Sequence, residues 1–125
     1  MMNATTIFSN NYDNKSKILT GIVEKERISK EDSKIIFDII EKSVNEFSEY
    51  ADYILDAQKA TDISPESFGY LVKAMGIVKK TSGYMVMVLK EKVLEQFMLT
   101  NPEMFDFYAV FFNHDDAVKY IQSKR

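Results

Sequence analysis

The chain has 125 residues, 46% of them hydrophobic and 28% charged, enough for one domain with a real core and too few for two. It has no cysteine, which excludes disulfides and thiolate metal sites, and its net charge of −3 lacks the basic excess of most nucleic-acid-binding domains. The longest uncharged hydrophobic stretch, 81–89, is far too short for a membrane span, and 1–8 has no signal-peptide pattern, so the expectation is a cytoplasmic protein without membrane contact.

Residues 1–14 are polar and rich in Asn, which favours turns over a packed element, and are expected to be a flexible segment ahead of a single helical domain, 15–125. A short helix over 15–27 would carry Ile18, Leu19, Ile22 and Val23 on one face, weakened by Gly21. Ile28 then stands as a hydrophobic staple before Ser29, a good N-cap, with Glu31 and Asp32 placed to complement the helix dipole.

From Ser29 the spacing predicts one long helix over 29–60. Phe37, Ile40, Val44, Phe47, Ala51, Ile54 and Gln58 follow each other at 3, 4, 3, 4, 3 and 4 residues, a seam broken only at its last position. Such a helix would be about 45 Å long at 1.5 Å per residue. Its outer face is acidic, with Asp38, Glu41, Glu46, Glu49, Asp52 and Asp56. Residues 29–63 hold four Lys against nine Asp and Glu, a balance of −5, while 64–100 hold five Lys against three Glu, a balance of +2.

Ser64 and Pro65 are the clearest local signal, an N-cap followed by proline at the first helical position, with Phe68, Leu71, Val72 and Met75 as the apolar stripe. The glycines at 76 and 83 favour a break rather than a continuous helix. Residues 84–89 (YMVMVL) fit a buried strand taken alone. With Val93 and Phe97 they keep helical spacing, and no second strand signal pairs with them, so helix is the expectation. Asn101 and Pro102 open an apolar helix over 104–112, and Asn113 caps a last one over 115–123. The whole reads as an all-α fold, a small bundle of about five or six helices organised around the long one.

No catalytic constellation stands out. His114, the only histidine, adjoins Asp115 and Asp116, but the trio fits a helix N-terminus better than a general base or metal site. No cofactor and no metal are expected. The Met and Phe content of 75–112 exceeds what one small core can bury, and such surface adapts well to partners. The expected function is therefore a non-enzymatic protein-binding module: an inhibitor, an immunity or anti-host factor, or an adaptor. Its candidate anchors are Met85, Met87, Met98, Met104, Phe105, Phe107 and Phe111, with Glu49, Asp52 and Asp56 steering a basic protein partner. A homodimer is the expected assembly. The alternative is a DNA-binding regulator. A capped helix, the turn Met75-Gly76-Ile77 and then Lys79, Lys80, Ser82 and Tyr84 resemble a helix-turn-helix over 64–89, although Val72 and Ser82 depart from its usual residue types.

Overall fold

The computed structural model describes residues 7–78, 85–100, 102 and 108–125. The chain is not an all-α bundle. Its elements run β1 (Phe8–Asp13), β2 (Ile18–Val23), β3 (Arg27–Ile28), α1 (Lys30–Glu46), β4 (Asp52–Ala57), β5 (Asp62–Ile63), α2 (Pro65–Gly76), β6 (Met85–Leu89), α3 (Glu91–Thr100), β7 (Tyr108–Phe111) and α4 (His114–Ser123). Five strands form one mixed sheet in the order β1-β2-β4-β6-β7, and β3 pairs with β5 in a separate two-stranded ribbon. Only β1 is antiparallel to its neighbour; β2, β4, β6 and β7 are parallel.

This topology fixes the layers. The parallel strands are added in one direction across the sheet, so right-handed crossovers place all three connecting helices on the same face. There Ile36 and Ile40 of α1, Phe68, Leu71 and Met75 of α2, and Val93 and Phe97 of α3 meet Leu19, Val23, Tyr53, Leu55, Met87 and Leu89 of the sheet. The other face is left to α4, whose Ala117 and Ile121 pack on Ile18, Ile54, Val86 and Val88. Central strands covered on both faces need apolar side chains on both, so they lack the alternation of a half-buried strand. β2 (ILTGIV) and β4 (DYILDA) are each buried at five of six positions.

The expected helix over 29–60 therefore ends early. α1 stops at Glu46 with Phe47 as its cap, and Ile54, placed on the helical seam, lies in β4. The helix expected over 15–27 is β2 with its neighbours, and 85–89 is β6 rather than helix. Phe8–Asp13, within the expected flexible segment, is β1. The turn into β2 is built by Asp13, whose carboxylate accepts the N–H groups of Lys15 (2.9 Å) and Ser16 (3.4 Å), and by Lys17 in the left-handed region (φ 59°).

Residues 108–111 of the helix expected over 104–112 are strand β7, and α3 starts at Glu91, after β6, rather than continuing from it. Three helix starts, those of α1, α2 and α4, match the sequence. Ser29 and Asp32 form a capping box: the Asp32 N–H donates to the Ser29 hydroxyl (3.2 Å) and the Ser29 N–H to the Asp32 carboxylate (2.9 Å). Lys25 adds an ion pair to the same carboxylate at 2.9 Å. Asn113 caps α4 by accepting from the Asp116 N–H at 2.9 Å. Ser64 sits at the N-cap of α2, but its hydroxyl bonds the Ser67 hydroxyl (2.7 Å) instead of the helix backbone.

Candidate protein-docking site

The residues singled out in the sequence are scattered by this fold. Met87 is a core residue of β6, facing the three-helix layer. Met85 opens the same strand. Phe111 lies on the α4 face, its ring 5.2 Å from that of Tyr120. Met98 stays exposed on α3, next to Leu99, which is 86% exposed. Met104, Phe105 and Phe107 lie outside the described residues. So do Lys79, Lys80, Ser82 and Tyr84; around them, the stretch resembling a helix-turn-helix has helix α2 first and strand β6 at its end.

The three acids aligned on one helical face also part company, because the helix that aligned them ends before Glu49. Glu49 is exposed in the turn after α1. Asp52, nearly buried at the start of β4, takes an ion pair from the Arg125 guanidinium at 2.7 Å. Asp56, near the other end of β4, accepts from the Gln58 N–H and its side-chain amide, both at 3.1 Å. His114 Nδ1 is 3.9 Å from the Asp56 carboxylate, beyond hydrogen-bond reach, and among the described residues it has no hydrogen-bond partner. Among the described residues no three potential metal ligands cluster.

The fold instead assembles a site that the sequence conceals. At the C-terminal end of α1, Tyr12, Asn14, Glu46, Phe47, Ser48 and Glu49 surround an open depression. Tyr12 arrives from β1, the sheet edge, and stacks on Phe47 with ring centroids 5.4 Å apart and planes at 28°. Both rings are half-buried, while Glu46 and Glu49 are exposed. Among the described residues neither carboxylate has an ion-pair partner.

Three electrostatic contributions here share one sign. A helix C-terminus carries about half a negative charge from its free carbonyls, and cations are favoured there. The last turn of α1 holds no basic residue. It ends on Glu46, a like charge that costs the helix stability. Aromatic faces, negative at their centres, also attract cations. By spacing alone Phe47 belongs to a core seam and Glu46 to a solvated face, and Tyr12 has no role. No signal in the sequence marks the site, because the apolar spacing runs through Phe47 and hides the end of α1.

No helix among the described residues is long and apolar enough to cross a membrane. No family model and no curated protein matches the chain.

Proposed function

We propose that the protein is a non-enzymatic protein-binding module that receives a basic side chain of its partner at the C-terminal end of α1. The observation that carries this reading is the stacked Tyr12–Phe47 pair beside two carboxylates that have no ion-pair partner among the described residues, at a helix whose last turn holds no basic residue. An arginine fits the arrangement best. Its planar guanidinium can lie against a ring while its N–H groups bond Glu46 and Glu49, and it is more weakly hydrated than a lysine ammonium. A cation–π contact at an exposed site contributes about 0.5–1 kcal/mol, and each exposed ion pair about 0.2–1 kcal/mol. One such anchor orients a partner, and the remaining affinity comes from the rest of the interface. An inhibitor, an immunity or anti-host factor and an adaptor would all use such a surface, by occluding a partner or bridging two.

The test is a titration of the labelled protein with an arginine-containing peptide, followed by amide chemical shifts. Shifts concentrated at Tyr12, Phe47 and Glu49 are expected. The double variant Glu46→Lys/Glu49→Lys should lose them. Glu46→Lys alone should change stability by less than about 0.5 kcal/mol, because the gain from a cation at the helix end is offset by its repulsion from Lys42 one turn before. A binding loss with no stability loss would separate function from folding. If the peptide shifts no residue around the depression, the reading fails.

A further inference from the structure

The two edges of the sheet are guarded very differently. β1 (FSNNYD) carries Asn10, Asn11 and Asp13 exposed on its length, and polar or charged residues discourage pairing with another strand. β7 (YAVF) has no charge, no proline and no glycine, and its last residue is followed by Phe112, which is 55% exposed. The five residues 108–112 are all aromatic, β-branched or Ala. Among the described residues β7 pairs only with β6, so its outer N–H and C=O groups face away from the sheet. Its side chains are already placed: Tyr108 and Val110 pack toward the three-helix layer and Phe111 toward α4. The backbone edge and Phe112 are what remain unused.

We propose that β7 is a self-pairing edge, joining two copies of this chain by antiparallel β7–β7 hydrogen bonding about a twofold axis through Val110. The occupant follows from symmetry and charge. A twofold axis perpendicular to the sheet keeps each side chain on its own face, so a residue must oppose one an even number of positions away, or itself. Centring on Val110 sets Val110 against Val110, Ala109 against Phe111 and Tyr108 against Phe112. Self-pairing is penalised wherever like charges meet, and here there are none. The register covers Phe112 with the partner's tyrosine, and aromatic cross-strand pairs are among the favourable ones. Both helical layers continue across the junction, and two five-stranded sheets become one of ten strands. The junction lies at the opposite edge from Tyr12, so the dimer would leave both cation-binding depressions open, and neither proposal depends on the other.

The absence of cysteine provides a direct test. Opposed residues of an antiparallel pair have Cα atoms about 4.5–5.5 Å apart, within disulfide reach. Light scattering over a range of concentrations should give twice the monomer mass. Val110→Cys should form a covalent dimer on oxidation, whereas Asn10→Cys on the far edge should not. Phe112→Lys, at an exposed position, should keep the circular dichroism spectrum of the parent and lower the dimer fraction at least tenfold. A monomer at every concentration overturns the proposal. So does a dimer that Val110→Cys fails to cross-link and Phe112→Lys leaves intact.

Discussion

Gly21 occupies the middle of β2, where a glycine normally weakens a strand. It is there because a Cβ would overlap the Tyr53 hydroxyl and the Phe8 ring, which cross the strand at that point. Gly21→Ala should therefore destabilise the fold by about 1–3 kcal/mol, the range for overpacked cores, as read by chemical denaturation. The Tyr53 hydroxyl is itself buried without a hydrogen-bond partner among the described residues, and burial pushes its ionisation well above the usual tyrosine range. An unpartnered buried hydroxyl costs about 1–3 kcal/mol. Tyr53→Phe should thus be at least as stable as the parent, and it should recover part of the loss in the Gly21→Ala background by removing the clashing oxygen. Equal losses in the single and double variants would place the strain elsewhere.

At the scale of the element, the starts of α1, α2 and α4 were legible, and so were the ends of α2 at Gly76 and α4 at Ser123; the start of α3 and the end of α1 were not. Ser29, Pro65 and Asn113 announce α1, α2 and α4 through local chemistry that needs no tertiary context. The central strands β2, β4 and β6 hid because each is a short, mostly buried run that fits inside helical spacing, and β1 hid because it is an edge strand of mostly polar residues. Ile54 satisfied the seam and Met85–Leu89 continued toward Phe97 for this reason. The parallel partners of β6 were concealed in the same way, so no second strand signal was visible. The site was concealed too, since the spacing that carries Phe47 on into a helix cannot show that α1 ends there and opens a depression.

The network at the start of α1 makes a prediction at this scale. Burial pushes the Asp32 carboxyl up, but the Ser29 N–H, the Lys25 ammonium and the Ser29 hydroxyl outweigh it and hold the group below its ordinary value of 3.8. Glu24 is held below 4.5 by Lys59, with Ser9 donating at 2.9 Å. A carboxylate whose value is lower in the folded state contributes stability above its unfolded value, lost as pH falls through the folded one. Stability should therefore be flat near neutrality and decline below about pH 4.5, where the unfolded chain begins to bind more protons. Asp32→Asn should flatten that decline. At the far end of α4, Arg125 bonds the Asp52 carboxylate and the Ser16 carbonyl, tying the helix to the starts of β2 and β4. Arg125→Ala should cost about 1–2 kcal/mol, less than a fully buried pair because the guanidinium is partly exposed. Hydrogen exchange should rise first in the last turn of α4.

For the whole molecule, partner surfaces at both sheet edges would make it a bridge with two kinds of contact, one for a basic group and one for itself. Linkage gives the second a thermodynamic signature: the melting temperature of a self-associating chain rises with protein concentration. That dependence should be present in the parent and absent in Phe112→Lys. A parent whose melting temperature is independent of concentration would argue against association of folded chains.

The order of strands also sets how the chain must find its structure. Among the described strands only the β1–β2 hairpin joins neighbours in sequence. The parallel pairs join Ile18 to Asp52, Ile54 to Val86 and Met85 to Tyr108, so each waits for a loop of more than twenty residues to close. Contacts of such separation slow folding, because the entropy of closure is lost before the contact can compensate. As the chain leaves the ribosome, β6 is the growing margin of the sheet until β7 emerges. For that interval the uncharged run Met85–Leu89 is the surface that a chaperone, or a second nascent chain, would meet.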